Sequence, residues 1–396
     1  MHYYLGIDVG KFHHQAILCD DQAKPVIGSL KFKATFDGFQ QLFAYVRQQV
    51  PEGTVIHAGV EATGAYWITV YEQLLKHQIR VSVLNPLQVK AYRNEGIRGA
   101  KTDRLDALLI VKVLRFGDYR ESAIPPADLF ALRQLTRLRF DLVSVTSDLK
   151  RKVICIFDQI FPEYKELFSN LFGTSSKTLL AKAVTPEDIA AISTRKLTTL
   201  LEKASFGRYG AKQALAIKKK AEQSIGITLG IDAFTLSVKI LLAQVGHLEE
   251  QTQKLEEEIS QRVAGQQTTL TTIPGIGRIQ EATILAEIGN FERFRNDKDG
   301  AEKLVAIAGI DPKVKQSGKY QGKAKMSKRG SPYLRTAIRQ IAFNAACMRK
   351  DAMFARIFQK KVAEGKPHEV ALSHVENKLL HVIYSLLKSK KEYVPN

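Results

Sequence analysis

The chain has 396 residues, 45% of them hydrophobic and 25% charged, enough for a core of ordinary size and roughly two or three domains. Its three cysteines, Cys19, Cys155 and Cys347, stand far apart with no C-x-x-C pair, so neither a zinc knuckle nor a disulfide framework is supported. Lys and Arg number 59 against 40 Asp and Glu, a net charge of +19, which exceeds what solubility asks and fits a polyanionic partner, nucleic acid before a membrane surface.

The N-terminus, Met1-His2-Tyr3-Tyr4-Leu5, lacks the basic-then-apolar layout of a signal peptide. No uninterrupted apolar stretch approaches the roughly 18 residues of a membrane span, and a cytoplasmic protein with no membrane partner is expected. Strands are predicted over 3–9, 14–19, 26–32, 54–60 and 79–84, with helical patterns around 38–49 and 66–77. Three early strands followed by alternation with helices give a mixed α/β sheet covered by helices. Past residue 130 the β character disappears. Leu135, Leu138, Leu142, Val145, Leu149 and Ile156 keep a three-four spacing with one miss at Lys152, and Val238, Leu241, Val245, Leu248, Thr252, Leu255 and Ile259 keep it without a miss. Such heptad stripes predict long helices paired as a coiled coil. Residues 163–235 between them are helical, Lys-rich and without a readable pattern. From 268 the chain begins with a Gly-rich turn, passes through a Gly/Lys/Ser-rich loop at 311–332 and ends in a basic helical tail. The expected division is 1–125, 126–267 and 268–396: α/β first, then all-α.

Four acids invite a chemical reading. Asp8 lies inside the apolar run Leu5-Gly6-Ile7-Asp8-Val9, and Glu61 ends another, Ala58-Gly59-Val60-Glu61. A carboxylate in a buried strand is costly unless paired or bound to a cation. Asp103 and Asp106, three apart in Thr102-Asp103-Arg104-Leu105-Asp106, share one face of a helix. Together they compose an oxygen-lined site for Mg²⁺ or Mn²⁺, and two such ions can serve the attacking and leaving oxygens of a phosphodiester exchange. Taken singly, each is equally a turn residue, a cap or part of a solvated face. The stretch Gly96 to Thr102 only superficially resembles a phosphate loop, because its glycines are wrongly spaced and no strand leads into it.

The C-terminal third carries a second constellation. Ile273-Pro274-Gly275-Ile276-Gly277 ahead of a helix resembles the hairpin of a helix-hairpin-helix element, where Gly275 and Gly277 let backbone N–H groups approach a phosphate; a plain tight turn explains it equally well. Lys313, Lys315, Lys319, Lys323, Lys325, Lys328, Arg329 and Arg335 then interleave with Gly and Ser, as suits a loop lying along a phosphate backbone. A serine followed by glycine exposes its hydroxyl, and nearby cations can stabilise a phosphoryl transition state. Spacing alone does not choose among Ser317, Ser327 and Ser331.

In this order the motifs resemble the DEDD transposases of the insertion-sequence 110 family, which includes Piv-type DNA invertases. The resemblance runs through Gly6-Ile7-Asp8-Val9, Val60-Glu61-Ala62-Thr63-Gly64, Lys101-Thr102-Asp103-Arg104-Leu105-Asp106, Ile273-Pro274-Gly275, Gln316-Ser317-Gly318-Lys319 and Ser327-Lys328-Arg329-Gly330. It implies an RNase H-like, RuvC-type N-terminal domain whose metal ligands are Asp8, Glu61, Asp103 and Asp106. It also implies that Ser317 is the nucleophile, forming a 5′-phosphoserine link, with the acidic site of a neighbouring subunit completing the centre. Donor and target DNA would be paired through a structured noncoding bridge RNA, by dimers that assemble into tetramers. Residues 163–235 match none of these motifs. Two other functions are compatible with parts of the pattern. One is a Mg²⁺-dependent Holliday-junction-type endonuclease using water, indifferent to Ser317. The other is an architectural nucleic-acid binder, indifferent to Asp8 and Asp106 because phosphate binding needs cations.

Overall fold

A computed structural model describes residues 2–94, 102–117, 124–313, 316–317, 320–321 and 325–395, which fall into two compact units, Met1–Ile124 and Pro125–Asn396. The first unit opens with β1 (His2–Val9), β2 (His13–Cys19) and β3 (Leu30–Lys33), joined as antiparallel neighbours. Then α1 (Phe36–Gln49), β4 (Val55–Glu61), α2 (Trp67–Lys76) and β5 (Arg80–Leu84) follow. The sheet order is β3-β2-β1-β4-β5, with β1, β4 and β5 parallel. Parallel neighbours cannot be joined by a tight turn, and α1 and α2 lie in the crossovers.

Strand alternation divides the hydrophobic residues between two faces. Leu5, Ile7, Leu18, Ala58, Val60 and Val83 pack with Phe39, Leu42 and Val46 of α1 and Val70 and Leu74 of α2. The opposite face receives α3 (Pro86–Asn94) and α4 (Asp103–Phe116). There Ile17 and Cys19 meet Ala107 and Val111, while Leu84 meets Val89, Ile110, Val113 and Leu114. Two glycines admit α4: a Cβ on Gly6 would stand 2.1 Å from the Ala107 carbonyl oxygen, and one on Gly59 would stand 2.6 Å from Leu114. β3 is shorter than the predicted 26–32. The Asp20 carboxylate accepts the N–H groups of Gln22 and Lys24 at 2.9 Å each, an Asx turn that competes with strand pairing, and Val26 and Ile27 are exposed.

The second unit is helical. α5 (Ala127–Ile160) and α10 (Ile231–Ala264) are 34 residues each. They run antiparallel, as ion pairs Arg139–Glu256 and Lys150–Glu249, both 2.7 Å, require. The predicted α10 stripe is packed, with Val238, Val245 and Ile259 fully buried. The α5 stripe is not the buried one: Leu138 and Val145 are exposed, while Thr136, Thr146 and Val153 are buried. The two threonines go inside because each hydroxyl donates to a carbonyl of its own helix, that of Arg133 at 3.2 Å and that of Leu142 at 2.7 Å, leaving their methyl groups to pack. Among the described residues α10 alone has the length and composition to cross a membrane.

At one end of this helical hairpin sit α6 (Thr174–Leu180), α7 (Pro186–Ala191), α8 (Thr194–Ser205) and α9 (Ala211–Glu222). This lobe is the patternless segment of the sequence, and it closes around Phe157, Phe161, Tyr164, Leu197, Leu201 and Ile217. At the other end Leu132, Ile259 and Val263 enter a second core. It is shared by α11 (Arg278–Ile288), α12 (Glu292–Arg295), α13 (Gly300–Ala308), α14 (Pro332–Phe343), α15 (Ala352–Ala363) and α16 (His368–Ser389). Between α13 and α14 lie four two-residue strands: β6 (Pro312–Lys313), β7 (Gln316–Ser317), β8 (Tyr320–Gln321) and β9 (Lys325–Met326).

Candidate active site

The acidic half lies at one end of the five-stranded sheet. In the β1–β4 register Ile7 stands beside Val60, so the next step places Asp8 beside Glu61 at the ends of adjacent parallel strands. Gly6 and Gly59 face α4, and by alternation Asp8 and Glu61, each two residues on, belong to the same face. Asp103 and Asp106 form the first turn of α4, immediately before the Ala107 carbonyl that rests on Gly6. That turn is fixed by Thr102, whose hydroxyl accepts the Leu105 N–H at 3.3 Å, and acids there also suit the positive end of the helix dipole. Glu61 accepts a 2.6 Å hydrogen bond from the Thr63 hydroxyl. Strand register therefore puts Asp8 and Glu61 on the sheet face that α4 covers, with Asp103 and Asp106 in the first turn of that helix, and carboxylate oxygens are the donors a hard cation takes. Among the described residues no three His, Cys, Asp or Glu side chains stand close enough together to hold an ion.

The serine half is a short β excursion from the helical core. β6 pairs with β9 and β7 with β8, with Ser317 opposite Tyr320. Lys313 stands directly opposite Lys325, both exposed. Like charges at such a position destabilise a ladder, so this pair is suited to an anion. Lys315, Lys319 and Lys323 lie outside the described residues. The root of the excursion is packed backbone on backbone. A Cβ on Gly330 would stand 2.0 Å from the Ile307 carbonyl oxygen, and one on Gly309 (φ +68°) would stand 2.5 Å from the Gly330 nitrogen.

Two of the three candidate serines have their hydroxyls committed. Ser327 donates to the Asp311 carboxylate at 2.6 Å, and its N–H donates to the Asp311 carbonyl at 2.9 Å. Ser331 caps α14 by accepting the Leu334 N–H at 3.1 Å, and it donates to Glu287 at 2.8 Å. Ser317 lies on β7. Lys328 and Arg329, which follow Ser327 in sequence, are exposed. Arg335, by contrast, is half-buried and donates to the Ala308 carbonyl at 2.9 Å, holding the root together.

The glycine turn is built as a rigid corner. Gly275 has φ +97°, and a Cβ there would meet Asn344 at 3.2 Å. Gly277 precedes α11, and its N–H donates to the Gln280 side chain at 3.3 Å. The helix ahead of the corner is only the 3-10 turn Leu270–Thr272.

Sequence reasoning missed a buried charge cluster beneath the serine excursion. Arg137 on α5 donates to both oxygens of Glu287 on α11, at 2.7 and 2.9 Å. This bond holds the guanidinium more firmly protonated than usual. Its face covers the Tyr333 ring at 4.8 Å, and neighbouring Arg133 donates to the Ala286 carbonyl at 2.8 Å. The signal was present: Glu287 interrupts the run Ala282-Thr283-Ile284-Leu285-Ala286-Glu287-Ile288 as Asp8 interrupts its strand, and a carboxylate there needs a partner.

Known families and proteins match on both units. One family model, described as a transposase, covers residues 5–162, and a second, described as the transposase IS116/IS110/IS902 family, covers 267–359. An uncharacterized 44.8 kDa protein of insertion element IS116 from Streptomyces clavuligerus is 24% identical across 99% of this chain and 96% of its own length. The pilin gene-inverting protein of Moraxella bovis is 22% identical across 98% and 97%. An uncharacterized 42 kDa protein of insertion element IS900 from Mycobacterium paratuberculosis is 24% identical across 99% and 97%. With both halves matched in order, the chain belongs to the insertion-sequence 110 family of transposases and DNA-inverting recombinases.

Proposed function

We propose that this protein is a site-specific recombinase of an insertion sequence that cuts DNA with Ser317 and a metal-bound acidic site, guided by a bridge RNA. The observation that supports the reading is the placement of Asp8 and Glu61 at the ends of adjacent parallel strands, on the sheet face covered by α4, whose first turn carries Asp103 and Asp106; an RNase H-like, RuvC-type domain would bring these four acids to one metal site. Four carboxylates repel one another until a cation neutralises them. Asp8, Glu61, Asp103 and Asp106 would hold Mg²⁺ or Mn²⁺, which supplies charge stabilisation at the attacking and leaving phosphate oxygens.

Ser317 attacks a DNA phosphate. A phosphoserine bond forms, the phosphodiester breaks, and the departing strand leaves as a hydroxyl. The commitment of Ser327 and Ser331 to Asp311 and Glu287 supports Ser317 as the attacking group. Lys313, Lys325, Lys328 and Arg329 offset phosphate charge, and Gly275 and Gly277 hold a duplex by its backbone. The chain divides functionally into 1–125, 126–267 and 268–396, working in the cytoplasm as a dimer that assembles into a tetramer on donor and target DNA, with the acidic site of one subunit serving the serine of another.

The test incubates purified protein and Mg²⁺ with labelled DNA carrying the element's junction, with and without RNA from its flanking noncoding region, beside the Ser317→Ala variant. A denaturing gel should show a protein–DNA adduct that needs the RNA and is absent from the variant. Cleavage without an adduct, equal in both proteins, would replace this reading with a water-using junction endonuclease.

A further inference from the structure

The helical lobe between α5 and α10 has no role in that chemistry, yet its surface is built for a ligand. Residues 161–230 carry eleven Lys and Arg against six Asp and Glu. Some of these cations are neutralised within the protein, as Lys220 is by Glu166 at 2.9 Å. Those of α8 are not. Leu197, Leu201 and Ser205 turn inward, and Arg195, Lys196 and Lys203 stand exposed on the outer side. Among the described residues the side chains of these three make no ion pair or hydrogen bond. With Thr178, Ser193 and Thr199 they line an open cleft of about 780 Å³. The one carboxylate of α8, Glu202, lies beside Gly210 instead.

An aromatic residue ends the same helix. Phe206 is 98% exposed and sits at the C-cap in the left-handed region, at φ 53° and ψ 46°. Both choices are unfavourable for stability. Glycine or asparagine is the usual residue at such a turn, and a bulky side chain there is strained. A fully exposed ring gains nothing from burial in return. Arg208, with its guanidinium over the Tyr209 ring at 5.5 Å, adds a further cation beside it.

Unneutralised cations in line with a bare aromatic face match one ligand chemistry, a phosphate backbone whose bases are unstacked. We propose that α8 and Phe206 form a binding surface for single-stranded DNA, with Arg195, Lys196 and Lys203 along the phosphates and a base stacked on Phe206. DNA is the nucleic acid on which the family acts, and a single strand is required because duplex bases have no free face. This assignment stands on family membership and does not depend on the serine chemistry.

Fluorescence anisotropy of the full-length protein tests it with three probes: an oligothymidylate of about twenty nucleotides, a duplex of equal length and an oligouridylate of equal length. The single-stranded DNA should bind best. Phe206→Gly should weaken it roughly tenfold while melting no lower than the parent, because glycine relieves the left-handed strain. Lys196→Glu with Lys203→Glu should weaken binding and reduce the salt slope by roughly one to one and a half. Unchanged single-strand affinity in both variants, or an equal loss of duplex binding in both, would overturn the surface. Tighter binding of oligouridylate through the same residues would overturn DNA as its occupant. The Ser317-dependent adduct in the Phe206→Gly protein keeps the two ideas separate: if the adduct forms while oligonucleotide binding is unchanged, only the lobe assignment fails.

Discussion

The acidic and serine halves are built by opposite means. The four candidate acids come from positions 8, 61, 103 and 106, on two adjacent strands and on a helix seated closely on Gly6 and Gly59 of those strands. The serine half comes from one continuous stretch, 309–335. Its root is held by a glycine crossing and by polar bonds around Glu287. A site gathered by a sheet is sensitive to what its acids carry, whereas a site on an excursion is sensitive to what lies beneath it.

The sharpest test of that contrast is Asp8→Asn, which keeps the side chain's shape and removes its charge. Strand cleavage should fall at least about a thousandfold with little change in the melting temperature. Cleavage near the parent rate would separate the acidic face from the chemistry. Next comes Arg137→Ala, which strands the Glu287 carboxylate in the core and should cost about 3–5 kcal/mol of stability in urea unfolding. Arg137→Lys should recover only part of this, since lysine cannot make the two-pronged bond; a loss under about 1 kcal/mol would show the cluster to be incidental.

A third test uses pH. Glu376 on α16 is buried with one carboxylate oxygen lacking a hydrogen-bond partner. Burial, against the pull of Arg339, pushes its pKa up to about 7. Because the folded-state pKa lies above the unfolded one, its contribution favours folding below about pH 4.5 and is lost as pH rises through 7. Glu376→Gln should therefore match the parent at pH 4 and exceed it at pH 8 by about 3 kcal/mol at most. Thermal unfolding across that range reads the difference, and a parallel pair of curves would refute it. The smallest effect belongs to Thr102→Ala, which removes the α4 cap and should cost about 1 kcal/mol, seen as faster amide exchange in the turn carrying Asp103 and Asp106. Unaltered exchange there would mean the sheet alone holds that turn.

How much of this was legible follows the same contrast. Strand alternation revealed β1, β2, β4 and β5, and the apolar runs around Asp8 and Glu61 singled those two acids out as candidates. Periodicity failed where polar groups satisfy themselves locally. The Asp20 turn shortened β3, and the self-bonded Thr136 and Thr146 displaced Leu138 and Val145 from the α5 seam. The lobe at 161–230 was unreadable because short helices around a cluster of aromatics, Phe157, Phe161, Tyr164 and Phe168, leave no long repeat to detect. The partners of two of the candidate serines, Asp311 for Ser327 and Glu287 for Ser331, come from tertiary structure and were not readable in the sequence.

The paired helices α5 and α10 also set a distance. At 1.5 Å per residue, 34 residues make an arm about 50 Å long, the length of roughly fifteen base pairs of duplex. From Leu132 in the core bearing the serine excursion to Val153 in the lobe core α5 runs about 30 Å, and in the proposed reading a strand on the lobe is held at least that far along it. Removing two turns from both helices together should move the gripped point by about 11 Å, so the arm acts as a ruler between where DNA is held and where it is opened.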